Sequence, residues 1–377
     1  MKRSLSTIGI WLLFLTAAVA LFPLGVTAAV PGSDTMAMPL LGIAGSIDAI
    51  FHHRALTAAV NKMRPVKTHV LDLVFARKKR QLSALFLWDI KSSSERILKN
   101  ISVSDAAQVT DKTGRKAITC EAPRFAEKRL ISAADLDKMR AVGEQAAPEL
   151  MKERVADEQF DMRTDVDRTR EFMAIKALSG TVVDESGAVV VDYNFPADQK
   201  PVLASTAKWT DAASNPVKNI RAWKKYIGDR VDVDKFVAIC GSKAMDALIS
   251  NPAALELLKY NAGKQLADDG RIAFLAGTAI EEYFGSYKDE NGARQQLIPD
   301  NVFAIVGIGP NTAAELYAPV ADLKAGTGVG KGKAAQVFFS KSWEVEDPSG
   351  RWVKVESRPL PVLFQPECVI WAEVCDA

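Results

Sequence analysis

The chain has few side chains of the kinds that do chemistry, and their spacing does not assemble them. Its three histidines are His52, His53 and His69. Adjacent residues on a helix point in different directions, so His52 and His53 make a poor metal pair. Neither an HExxH nor a GxSxG motif occurs. The four cysteines, Cys120, Cys240, Cys368 and Cys375, form no CxxC pair. Zinc-site spacing is therefore absent, and the expectation is four free thiols in a reducing compartment. The stretch GTGVGKGK, from Gly326 to Lys333, invites a phosphate-loop reading, but no GxxxxGK[ST] frame fits it. It reads as a flexible loop. The adjacent carboxylates Asp268-Asp269 and Glu281-Glu282 read as solvated faces, because no partner motif accompanies them. No catalytic, cofactor-binding or metal-binding residue is assigned, and the expectation is that the chain is not an enzyme.

Charge also limits the function classes. The net charge is +2 over 377 residues, so the chain as a whole is no polyelectrolyte partner of nucleic acid. The basic cluster Arg77-Lys78-Lys79-Arg80 reads as a solvated loop. A length of 377 residues suggests two or three domains.

The most ordered pattern runs from Phe160 to Pro196. Met162, Val166, Thr169, Met173 and Ala177 recur at helical spacing. Asp165 with Arg168 and Asp167 with Arg170 are i,i+3 pairs on the other faces, each worth only about 0.2–0.5 kcal/mol. Gly180 supplies a helix stop. Val182-Val183, the turn Asp184–Gly187 and Val189–Val191 then read as a hairpin. Upstream, Ser132 is a candidate N-cap for a helix running to Arg140 and stopped by Gly143. A second helix starts near Pro148 and leads into the opening pattern.

Residues 65–130 read as extended. Leu82, Ala84, Phe86 and Trp88 alternate, but with mixed neighbours, so the two faces are not cleanly distinct. Ile97, Ile101 and Val103 suggest another strand, with a turn at Asp111–Gly114. Ser46–Met63 holds a short helix. Further strands are expected at Phe236–Cys240, Ile272–Leu275, Val302–Ile308, Val337–Phe339, Trp352–Glu356, Val362-Leu363 and Val369–Val374, with helices after Gly241 and Pro252. This mixture argues an α+β fold.

Lys2 and Arg3 precede an apolar run from Ile8 to Phe22. The segment 1–35 reads as a secretory signal, a single anchor or sequence upstream of a true start at Met36 or Met38.

Four blocks, in order, resemble the major capsid protein E family of tailed phages, the lambda-type head proteins. They are Glu121–Glu144, the stretch from Met162 to Pro196, Tyr287–Asn301, and Tyr317-Ala318-Pro319 leading into the glycine-rich loop. The resemblance covers about residues 55–377. It implies a Hong Kong 97-like capsid fold: an N-terminal arm at 36–70, an extended hairpin loop at 71–128, a peripheral domain at 129–214 and 333–377 with a spine helix, and an axial domain at 215–332. It also implies a structural role. The chain would be the major head subunit of a tailed bacteriophage or prophage, assembling with itself into hexamers and pentamers of an icosahedral shell around DNA.

On this resemblance the partners are other copies, scaffold, decoration and portal proteins, and packaged DNA by non-specific contact, with no membrane in the mature form. Assembly would take place in the host cytoplasm and the product would be the virion capsid. The start at Met36 or Met38 is then the favoured one. The extended loop would lie on a neighbouring subunit, and the charged face of the spine helix would be solvated or in subunit contact. Arg77–Arg80 and Lys324–Lys333 are candidates for the DNA-facing wall. The alternative is an exported bacterial α+β protein with an N-terminal signal peptide.

Overall fold

One long helix packs against several of the described elements along its length. The structure, a computed structural model, describes residues 51–63, 68–91, 115–135, 147–184, 186–261, 271–289, 291–325, 335–347 and 349–376. The apolar run at 8–22, the suggested strand at Ile97–Val103, the turn at Asp111–Gly114, the helix end at Arg140–Gly143, Asp268-Asp269 and the loop Gly326–Lys333 lie outside the described residues.

The described elements begin with helices α1 (His53–Lys62) and α2 (His69–Leu73) and strands β1 (Lys78–Arg80), β2 (Leu85–Lys91), β3 (Arg115–Glu121) and β4 (Phe125–Ser132). The long helix α3 (Ala147–Leu178) follows, then the hairpin β5 (Thr181–Val183) and β6 (Val189–Asp192). Next come α4 (Pro216–Gly228), β7 (Lys235–Cys240), α5 (Ser242–Ser250), α6 (Pro252–Asn261), β8 (Arg271–Leu275) and β9 (Thr278–Glu282). The hairpin β10 (Ser286–Lys288) and β11 (Arg294–Gln296) precedes β12 (Val302–Ile308) and β13 (Ala313–Tyr317). The chain closes with β14 (Phe339–Val345), β15 (Gly350–Ser357), β16 (Pro359–Leu363) and β17 (Val369–Glu373). The expected α+β class holds.

Local sequence explains several boundaries. Ser132 Oγ accepts from Asp135 N at 3.1 Å, and the Asp135 carboxylate accepts from Ser132 Oγ at 2.7 Å, a reciprocal cap at the turn that opens there. Asn215 caps α4 by accepting from Lys218 N at 2.9 Å, with Pro216 at the first helical position. Gly180 ends α3 with φ +93°, and a Cβ there would lie 2.8 Å from the Phe195 ring.

The largest sheet has the order β17-β12-β7-β9-β8. Its β12 is buried along nearly its whole length, as expected of a strand covered on both faces. The C-terminal return is divided. β14 and β15 join β4, β16 joins β13, and β17 completes the central sheet beside β12. Among the described residues two large apolar clusters result, beside a small third of Val320, Ala325 and Phe339. The first combines the C-terminal half of α3 with the central sheet and α4–α6. The second joins α1 to the N-terminal half of α3 over β4 and β15.

Three local expectations need correction. Residues 65–130 are not uniformly extended, since His69–Leu73 is helical. Arg77–Arg80 is solvated at Arg77, Lys78 and Arg80, as expected, but it is not a loop. Its last three residues form β1, parallel to β13, and Arg77 Nη1 donates to Pro310 O at 2.7 Å and Asn311 Oδ1 at 2.9 Å. The two faces of β2 are sharply distinct: Phe86 and Trp88 are 1% and 6% exposed, whereas Leu85 and Leu87 are 58% and 67% exposed. The β2–β3 ribbon is thus anchored on the main core, because Phe86 and Trp88 belong to the first cluster.

Candidate functional site

The charged face of α3 is where sequence and structure differ most. Arg163, Asp167, Arg170 and Glu171 are all buried. Arg170 Nε and Nη2 each donate at 2.7 Å to the two carboxylate oxygens of Glu315 on β13. Its Nη1 donates to Asp167, which Arg163 also reaches at 3.4 Å. Tyr317 OH donates to Glu315 at 2.8 Å. The Asp167–Arg170 pair is therefore no exposed helix pair worth a few tenths of a kcal/mol. It belongs to a desolvated network whose members satisfy each other, which is the condition for burying charge. Glu315 keeps Arg170 charged against the pull of burial, and burial with Glu315 pushes the Tyr317 hydroxyl well above its ordinary pKa.

The same helix ties down α1 and α2. Arg163 Nη1 donates to Val60 O at 2.6 Å and Met63 O at 2.5 Å, satisfying carbonyls at the end of α1. Gln159 Nε2 donates to Leu56 O at 3.3 Å and Ser340 Oγ at 2.7 Å. Glu171 accepts from Val70 N at 2.7 Å, Leu71 N at 3.1 Å and Tyr283 OH at 3.1 Å. Those two amides open α2, so a carboxylate a hundred residues away in sequence fixes this short helix. Burial raises the Glu171 pKa, and its donors oppose that rise.

Among the described residues, the chemistry-bearing side chains do not converge on a reaction centre. His69 Nε2 lies 2.6 Å from Glu281 Oε2, so Glu281 is paired rather than solvated. Glu282 is partly buried, and its carboxyl is raised by burial and by Asp246 and Asp300. His52 Nδ1 accepts from Arg54 N at 3.3 Å. All four cysteines are free, and burial pushes the Cys120 thiol up to about 11, away from nucleophilic use. Among the described residues no group of His, Cys, Asp or Glu is placed to hold a metal ion. Among them, too, no helix is long and apolar enough to cross a membrane.

What the surface offers is contact area. Leu85 and Leu87 stand on the open face of the β2–β3 ribbon, and Phe274 and Phe284 are exposed near the edge of the central sheet. A cleft of about 590 Å³ separates α3 from the β10–β11 hairpin, with Phe172 edge-on to Tyr287 at 5.3 Å. Of the basic candidates, Arg80 and Lys324 come together beside α1 in a second pocket. Arg77 is taken up by β13-side carbonyls, and Lys79 lies over the Phe364 ring. Sequence reasoning missed the Arg163–Arg170–Glu315 network and the exposed leucines. The recurrence of Arg163, Asp167, Arg170 and Ala174 on one helical face was the signal that could have revealed the first.

Comparison with known proteins agrees with this picture of a building part. The family model described as phage major capsid protein E matches residues 52–374. No curated protein matches the sequence. Among solved structures, a prophage protein of E. coli CFT073 assigned as a capsid protein shares the fold. Its TM-score is 0.61 at 20% identity, over 86% of this chain and 99% of that one. A phage-related protein of Bordetella bronchiseptica RB50 matches with a TM-score of 0.53 at 13% identity, over 85% of this chain and 96% of that one. The fold is that of the Hong Kong 97-like capsid subunits. The extent of the family match decides the identity: the chain belongs to the phage major capsid protein E family.

Proposed function

We propose that this capsid subunit tiles as hexamers and pentamers of an icosahedral shell enclosing DNA, with its β2–β3 ribbon lying on a neighbouring copy. The observation that carries the reading is the split of β2 into a buried face, Phe86 and Trp88, and a bare one, Leu85 and Leu87. A two-stranded ribbon is marginal alone, and an apolar outer face on it calls for cover. The family's role is structural, so broad surfaces rather than a pocket carry the function.

In this reading the arm is 36–70, the extended loop 71–128, the peripheral part 129–214 with 333–377, and the axial part 215–332. The pairing of β4 with β15 supports the peripheral return. The pairing of β17 with β12 argues for assigning Val369–Glu373 to the axial sheet. The polar staples from α3 to α1, α2 and β13 support a tile in which α1 and α2 are held in place before assembly. Scaffold, decoration and portal proteins are further partners, assembly is cytoplasmic, and the enclosed DNA is touched without sequence preference.

Expression of the full chain, followed by electron microscopy and sedimentation, tests this. Closed particles with five- and six-fold capsomers are expected. Protein that stays monomeric at every salt and crowding condition overturns the reading.

A further inference from the structure

The pocket beside α1 collects positive charge from three distant stretches of chain. It has a volume of about 510 Å³, and its lining includes His53 and Arg54 from α1, Arg80 from the end of β1, Lys324, Gln336 and Phe339. Arg54, Arg80 and Lys324 are exposed. No Asp or Glu contributes to the lining. Among the described residues, none of these three cations is paired with a carboxylate.

The carboxylate of Asp322, two residues before Lys324, already has partners. Asp322 Oδ1 accepts from Lys324 N at 2.9 Å, and its Oδ2 pairs with Lys341 Nζ. The potential in the pocket registers on His53. Its pKa is lowered first by burial and then by His52, Arg54 and Lys324, with Asp322 acting in the opposite sense. Of the neighbouring polar groups, Asn61 is occupied, whereas Gln336 Oε1 is buried without a hydrogen-bond partner. Asn61 Nδ2 donates to Thr57 O at 2.7 Å and Phe338 O at 2.9 Å. Two guanidinium forks and an ammonium are left facing a concave surface, an arrangement suited to tetrahedral anions.

We propose that this pocket binds backbone phosphates of duplex DNA and is a contact point between the subunit and the DNA its shell encloses. The choice of DNA rests on the proposed shell, while the anion chemistry rests on the pocket alone. A chain with a net charge of only +2 can hold a polyanion by concentrating its unpaired cations at one place. Such a contact is blind to sequence, because phosphates carry no base identity.

The test is a titration of a short, labelled, mixed-sequence DNA duplex with soluble full-length subunits over a range of salt. The pocket variant is Arg54→Gln/Arg80→Gln/Lys324→Gln. The control, Lys218→Ala/Arg221→Ala/Lys225→Ala, removes three exposed cations from α4. Thermal melts verify that both fold, and Arg54→Lys/Arg80→Lys serves if the triple variant does not. Removing the pocket cations is expected to weaken binding at low salt by about 10-fold or more. The slope of log K against log salt should become shallower by about two to three. The control should keep the wild-type slope. If the lysine pair is used, binding is expected to weaken with a nearly unchanged slope.

Equal losses in pocket and control variants overturn the proposal. So does a pocket variant that binds DNA normally but no longer binds a glutamate-rich peptide, which would assign the pocket to an acidic protein segment. Shell formation is scored separately by electron microscopy. A wild type that binds DNA through the pocket yet forms no particle contradicts the shell and leaves the anion site standing.

Discussion

Arg170 on the long helix and Glu315 on β13 form a two-pronged pair, both bonds 2.7 Å long, with the carboxylate fully buried. The pair joins residues 145 positions apart. Asp167 and Tyr317 complete it, so the helix is locked to the strand that carries both β1 and β16.

Breaking this pair from one side leaves a buried charge without compensation. Glu315→Ala and Arg170→Ala should each lose about 3–5 kcal/mol of stability, and the double variant less than the sum. Arg170→Lys should not restore the loss, because an ammonium cannot make the two parallel bonds. Urea unfolding of the four proteins measures this. Additive losses would show that the two side chains act independently.

Two carboxylates should shape the pH profile of stability with opposite signs. Burial raises the folded-state pKa of Glu171 above its ordinary 4.5. Its contribution is therefore intact below the unfolded-state value and is lost as pH rises through the folded-state value. Burial also acts on Glu356, but hydrogen bonds from Arg124 and Lys354 outweigh it and hold the carboxyl below 4.5. That contribution is present above the unfolded-state value and is lost as pH falls through the folded-state one. Glu171→Gln should remove a decline in stability on the side above 4.5, and Glu356→Gln a decline on the acid side. Urea midpoints across pH test both, and wild-type profiles in the two variants would refute the assignment.

Gly180 and Gly187 both have positive φ, at +93° and +81°, but only Gly180 is crowded. Gly187→Ala should lose about 1 kcal/mol from backbone strain alone. Gly180→Ala should lose more, about 2–3 kcal/mol, since Phe195 must also move. Thermal melts rank the two, and equal losses would mean that Phe195 gives way freely.

The β2 ribbon should separate folding from assembly. Phe86→Ala and Trp88→Ala remove core side chains and should each lose about 3–5 kcal/mol. Leu85→Ser/Leu87→Ser changes only the open face and should leave monomer stability within about 0.5 kcal/mol per site. Particle yield should nevertheless collapse in the leucine variant. Normal particles from it would mean that the open face contacts nothing.

Elements written in local pattern were legible in advance. The stop at Gly180, the hairpin through Gly187, the buried strand Phe236–Cys240 and the helix after Gly241 depend on neighbours in sequence. What escaped depends on partners far along the chain. The basic run Lys78–Arg80 becomes a strand because β13 offers a parallel edge, and α2 is held in part because Glu171 receives its amides. The α3 charges looked solvated because Glu315 and the α1 carbonyls that pair with them are invisible in a helical pattern. The faces of β2 looked mixed because Leu85 and Leu87 are as apolar as the buried Phe86 and Trp88. Composition cannot distinguish a core face from an exposed apolar one.

A high-resolution cryo-electron reconstruction of particles assembled from the full chain tests the central claim most directly. The account predicts closed shells of hexamers and pentamers in which Leu85 and Leu87 are buried against a neighbouring subunit while Phe86 and Trp88 stay in their own core. Particles in which both leucines face solvent, or preparations that never close into shells, would contradict it.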